Sequence, residues 1–197
     1  MDFNLSRLFR QDSSITAPED FSRFYEQTHL AVFRYLMVLC GGSQTEAEDV
    51  TAEAFLRAWQ KRAQFSGSEA ARLGWLITIA RNLLIDQRRA GPARNVALPL
   101  DETLADPAVS PEELAVGSED LQAVIEAMQD LPFGQRNMLT LRYVLGWRVK
   151  AIAAHLGLPE NTVSVELRRA LARLQAQLIQ QEANPRRANP HETKTNA

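Results

Sequence analysis

Wherever the apolar residues of this chain recur with a strong period, that period is helical, and no segment alternates in the way a half-buried strand does. A chain so patterned has no sheet to build on, so its core must come from helix packed on helix. Phe21, Phe24, Tyr25, Val32, Leu36 and Leu39 form the first stripe, after Thr16-Ala17-Pro18-Glu19, which has capping-box spacing. Gly41-Gly42 stops that helix, and Ser43-Gln44-Thr45-Glu46 opens a second that is expected to run to about Gln64. After a loop at Phe65–Ser68, a third helix is expected from roughly Glu69 to Ala90, ended by Gly91-Pro92.

The pattern lapses from Gly91 to Val109, where Pro, Asp, Ala and isolated aliphatics follow no period. Ser110-Pro111-Glu112-Glu113 restarts a helix with proline at its first position. Its stripe is Leu121, Val124, Ile125, Met128 and Leu131, and Pro132 closes it. A helix over about Phe133 to Leu145, a short one at Arg148–Leu156, the turn Gly157-Leu158-Pro159 and a long helix from Glu160 to about Gln181 complete the pattern. The expected fold class is all-α: two small helical domains, 1–90 and 111–182, joined by a flexible acidic linker over 91–110. The polar residues 183–197 are expected to form a disordered tail.

Charge supports that division. Residues 1–90 hold eleven basic and eleven acidic side chains, residues 91–120 hold Arg94 against seven acids, and residues 121–197 hold ten basic against six acidic. An acidic segment thus separates two parts, and near-neutral totals can hide local basic faces. The single cysteine, Cys40, lies in an apolar run and reads as a small buried hydrophobe. Met1 to Arg10 has no sustained apolar stretch and no run approaches the length of a membrane span, so a cytoplasmic protein without membrane insertion is expected. His29, His155 and His191 are scattered, and neither a phosphate-binding glycine loop nor metal-ligand spacing is present. We therefore expect no enzyme, no cofactor, no metal and no small-molecule substrate.

Two segments bear chemistry. In Trp75–Arg89 the apolar residues gather on one side of a helix while Arg81, Asn82, Asp86, Arg88 and Arg89 gather elsewhere, a composition suited to packing and nucleic-acid contact at once. Its plainer reading is a solvated face, with Trp75 in the core. Ala151–Val163 fits a helix-turn-helix: Ile152 and Leu156 pack the first helix, Gly157 makes the turn, and Val163 and Leu167 pack the second. Asn161, Ser164, Val165 and Arg168 then face outward near the N-terminus of the second helix, with Arg169 and Arg173 better placed for phosphates. A structural hairpin with a basic face is the alternative. The acidic group Glu46, Glu48, Asp49 and Glu53 is explained by the dipole of its helix or by a basic partner.

In this order these segments resemble bacterial RNA polymerase sigma factors of the small, two-domain extracytoplasmic-function type. Three blocks carry the resemblance: Tyr25–Trp59, Trp75–Arg89, and Leu131 through Arg173 with Gln135-Arg136 and Tyr143 ahead of the helix-turn-helix. The resemblance implies a protein that binds core RNA polymerase, directs it to promoter DNA, helps to open it, and is held inactive by an anti-sigma factor. It implies core-polymerase binding by Asp49, Glu53 and Phe55, and −10 recognition by Trp75, Arg81, Asn82, Asp86, Arg88 and Arg89. Asn82, with the Phe65–Ala71 loop, would hold a flipped base. For the −35 element it implies Arg136, Lys150, Asn161, Thr162, Ser164, Val165, Arg168 and Arg169. The linker would thread polymerase channels. This chain departs from the family pattern after Thr162-Val163, where Lys-Ser-Arg is usual and Ser164-Val165-Glu166 stands, so weaker −35 binding with altered preference is expected. A stand-alone helix-turn-helix regulator would have no use for the first two blocks. An adaptor without promoter binding would have no use for Trp75–Arg89.

Overall fold

The computed structural model describes residues 15–65, 67–90 and 119–183, and every element among them is helical. The expected linker 91–110, the helix start at Ser110, the tail beyond Ala183 and the segment Met1–Arg10 lie outside the described residues. Two compact units account for the described chain, one built on residues 15–36 and 45–90 and the other on 37–44 and 119–183.

In the first unit α1 (Pro18–Leu39) as far as Leu36, α2 (Gln44–Lys61) from Thr45, and α3 (Glu69–Ala90) surround one apolar core, while the end of α1 and the turn after it belong to the second unit. The turn after α1 needs left-handed backbone at two successive positions, and Gly41 (φ 71°) and Gly42 (φ 84°) supply it at no steric cost. The Gly42 N–H donates to the Met37 carbonyl at 2.8 Å, satisfying one of the carbonyls that a helix end leaves open. Phe24, Val32, Tyr35 and Leu36 of α1, Ala47, Val50, Ala54 and Ala58 of α2, and Leu76, Ile77, Ala80 and Leu84 of α3 are each at most 1% exposed. Removing a leucine or isoleucine side chain from water is worth about 1.5–3 kcal/mol, so these stripes dominate the unit's stability. The helix expected to reach Gln64 stops at Lys61 and tightens into a 3-10 turn, Arg62–Gln64. There Arg62 lies 3.5 Å above the Trp59 ring and donates to the Trp59 carbonyl at 2.7 Å and to the Thr16 carbonyl at 3.1 Å. Cys40 is buried.

The second unit is a cluster of four helices: α4 (Glu119–Gln129), α5 (Phe133–Leu139), α6 (Val149–Leu156) and α7 (Glu160–Ala183), the first three all packing on α7. Val163, Leu167, Ala170 and Leu174 give α7 its buried stripe at steps of four, three and four. The helix expected over Phe133–Leu145 ends differently, because after Leu139 the backbone widens into a π turn, Thr140–Val144. The Leu145 N–H reaches back to Thr140 at 3.2 Å, and the fully buried Thr140 hydroxyl donates to the Arg136 carbonyl at 2.8 Å. Gly146 (φ 68°) then redirects the chain toward α6. No helix among the described residues is long and apolar enough to cross a membrane.

Candidate nucleic-acid interface

One side of α3 is spent on the core, through Leu76, Ile77, Ala80, Leu83 and Leu84. At about 100° per residue, Trp75, Thr78, Asn82, Asp86 and Arg89 fall together on the other side, inside an arc of about 80°. Thr78, Asn82, Asp86 and Arg89 are exposed and Trp75 is half-buried. Arg81 and Arg88 flank this stripe seven residues apart, Arg88 exposed and Arg81 half-buried. Thr78 was not singled out from the sequence; the helical step from Trp75 and Asn82 is the signal that places it.

Ahead of α3 the chain is shaped by Phe65 and Gly67. The Phe65 ring meets Trp75 at 5.1 Å between centroids, tilted by 44°. It also covers Gly67 so closely that a Cβ there would stand 2.7 Å from Phe65 Cζ. The glycine is therefore a matter of space rather than of backbone angle. The Ala71 N–H donates to the Ser68 carbonyl at 2.9 Å and starts the helix.

On α2 the structure separates the three residues that the resemblance groups. Asp49 is exposed, and Glu53 is half-buried and paired with Arg57 Nε at 2.6 Å. Phe55 is 5% exposed, with its ring against Phe24 (6.1 Å) and Phe21 (6.5 Å). Two helical steps of about 100° from Glu53 carry it round to the core. The apolar residue that shares the Asp49 side is Leu56, seven positions on and 43% exposed.

The helix-turn-helix of the second unit is α6, the Gly157 turn and the start of α7. Gly157 adopts left-handed backbone (φ 66°, ψ 32°), and the Leu158 N–H donates to the Ala153 carbonyl at 3.0 Å. His155 sits edge-on to Trp147 at 5.0 Å, a packing role. Lys150, Asn161, Thr162, Arg168 and Arg169 are exposed, and Ser164 and Val165 are half-buried. Arg136 is not among them. It is 6% exposed, and its Nη2 donates to the Gln129 carbonyl at 2.8 Å and the Leu131 carbonyl at 3.2 Å while Nη1 donates to Gln129 Oε1. Its guanidinium is committed to main-chain and amide oxygens inside the fold.

Glu166 is not a loose surface acid. Oε2 accepts from Gln135 Nε2 at 2.8 Å and Oε1 from Arg169 Nη1 at 2.8 Å. The bond from Gln135 first, and then that from Arg169, hold its carboxyl below the usual carboxylate range. Among the described residues no group of His, Cys, Asp and Glu is arranged to hold a metal ion.

Comparison with known proteins places these two units. The family model for Sigma-70 region 2 matches residues 24–92, and that for Sigma-70 region 4 matches residues 121–174. The chain is 32% identical over 154 residues to the ECF RNA polymerase sigma factor SigL of Mycobacterium tuberculosis, covering 78% of this chain and 86% of that one. It is 35% identical over 159 residues to the ECF RNA polymerase sigma factor BldN of Streptomyces coelicolor, covering 78% and 60%. Among solved structures, the sigma factor RpoE of Bartonella quintana, in complex with the anti-sigma factor NepR, superposes with a TM-score of 0.63 at 27% identity, over 82% of this chain and 98% of that one. CnrH, in complex with the cytosolic domain of CnrY, shares the fold with a TM-score of 0.61 at 22% identity, over 85% and 91%. The chain belongs to the ECF RNA polymerase sigma factors, and its function is promoter-specific initiation of transcription with RNA polymerase.

Proposed function

We propose that α3 is the surface with which this sigma factor reads and opens the −10 element. The observation that carries this reading is the stripe Trp75, Thr78, Asn82, Asp86 and Arg89 on a helix whose other side is buried, so the reading side chains stand on a rigid support. Asn82 and the Phe65 loop hold a base drawn from the duplex. Extraction costs a few kcal/mol of stacking, so capture of the base favours open DNA. Arg81 and Arg88 neutralise phosphates beside it.

Asp49 and Glu53, with Leu56 rather than Phe55 as their apolar neighbour, dock onto core polymerase. Asn161, Thr162, Ser164, Val165, Arg168 and Arg169, with Lys150, meet the −35 element. Residues 1–90 and 111–182 act as the two functional domains, joined by the acidic segment. The protein works in the cytoplasm and is restrained by an anti-sigma factor, as the complexed state of the Bartonella relative suggests.

Run-off transcription with purified core polymerase, on a library containing the region upstream of its own gene, tests the reading. Transcripts that vanish with an Asn82/Arg88/Arg89 triple alanine variant support it. Transcripts that survive that variant would remove α3 from the mechanism. Specific duplex binding without affinity for core polymerase would contradict the core-docking assignment.

A further inference from the structure

Gln135, in the first turn of α5, is 6% exposed and touches two charged side chains of α7. Its Nε2 donates to Glu166 Oε2 at 2.8 Å, and its Oε1 accepts from Arg173 Nη1 at 2.9 Å. Glu166 accepts in turn from Arg169 Nη1 at 2.8 Å. Residues 166, 169 and 173 lie within about 60° of one another around α7. One amide thereby ties a single face of the helix to α5. Its orientation is specified chemically: turned over, the NH₂ would face a guanidinium and the carbonyl a carboxylate.

We propose that Gln135 and Glu166 are positioning residues for −35 binding, a clasp that fixes Arg169 and Arg173 as phosphate ligands before DNA arrives. The inference rests on the reading of α7 as the −35 helix. Each guanidinium has five N–H donors, and the clasp engages Nη1 alone, so the other donors stay available to phosphate oxygens. Ordering the two side chains in advance lowers what binding must later supply. Glu166 also offsets one of the positive charges it orients, so the helix trades bulk attraction for placement. That exchange gives the acid at position 166 a function rather than a deficit.

The test uses the full chain and fluorescence anisotropy, with a duplex recovered by selection from a random library and with an unselected duplex. Gln135→Ala alters no charge. It should weaken binding to the selected duplex about threefold to tenfold, the scale of immobilising one or two long side chains. In an Arg169→Ala/Arg173→Ala background it should add almost nothing. Additive losses, or wild-type affinity in a folded Gln135→Ala protein, overturn the clasp. Should Gln135→Ala unfold the second unit, Glu166→Gln decides: it keeps an acceptor for Gln135 but loses the charge that holds Arg169. The ratio of selected to unselected affinity should then fall at least about threefold, while affinity for the unselected duplex holds or rises. An unchanged ratio overturns the proposal. Arg168→Ala and Asn161→Ala are the control for the underlying reading. If both leave duplex affinity intact, the −35 assignment fails and the clasp with it; if they weaken it while the ratio ignores Gln135 and Glu166, the clasp alone fails.

Discussion

The rings of Tyr25 and Phe55 meet edge to face, 4.7 Å between centroids and 63° between planes, so α1 covers the phenylalanine of α2 that lies closest in sequence to Asp49 and Glu53. Tyr25 itself stacks on His29 at 5.1 Å and stays 43% exposed, so the pair ends at the surface with the tyrosine outermost. Such a pair contributes about 0.5–1.5 kcal/mol beyond the area it buries.

Phe55→Ala should therefore destabilise the first unit by about 3–5 kcal/mol, the usual cost of a large cavity in a core. Asp49→Arg, at an exposed site, should change stability by no more than about 0.5 kcal/mol. Urea unfolding together with a core-polymerase pull-down separates the two. Asp49→Arg should lose core binding while folded, and Phe55→Leu should retain it.

Arg136→Ala should cost the second unit about 2–4 kcal/mol, because the Gln129 and Leu131 carbonyls lose a charged donor inside the fold. Thermal unfolding followed by circular dichroism measures this. At temperatures where the variant is folded, the salt dependence of its duplex binding should equal that of the wild type. A slope reduced by about 0.9 would mean that Arg136 meets a phosphate after all.

Gly67→Ala should leave the protein folded, at a cost of about 1 kcal/mol, because the two nearest atoms in its way are the far end of the Phe65 side chain, which can swing, and Ala71 Cβ, at 3.2 Å, need give only slightly. The Phe65 ring must leave its place against Trp75. Affinity for a single-stranded −10 oligonucleotide should fall several-fold. Gly67→Ala binding as tightly as the wild type would show that Phe65 has no part in the pocket.

Acid should loosen the α5–α7 junction. The Glu166 carboxyl is held below the usual carboxylate range in the folded chain, chiefly by Gln135 and then by Arg169, so folding favours its charged form. Its contribution is complete above the ordinary glutamate range and is lost as pH falls through the lowered value. Stability of the second unit should decline with acidification in that window, and Glu166→Gln should flatten this part of the profile. A profile identical in the variant would contradict the assignment.

Helical period and its interruptions are local properties, and the sequence by itself determined the all-α class, the glycine stop after α1, the bounds of α3 at Glu69 and Ala90, and the turn at Gly157. Each follows from the conformational preferences of neighbouring residues, which a linear pattern contains. The π turn at Thr140–Val144 was not legible, because it depends on where the Thr140 hydroxyl and the Gly146 turn meet the rest of the fold. Only the tertiary structure decided that Phe55 and Arg136 belong to the interior, that Leu56 occupies the Asp49 side of α2, and that Glu166 answers to Gln135, thirty-one residues away. The reason is that charge and polarity in a sequence do not say which partner will satisfy them. An arginine or a glutamate reads as surface until packing brings a donor or a carbonyl within 3 Å of it, and for Glu166 that distance is set by a helix remote in the chain.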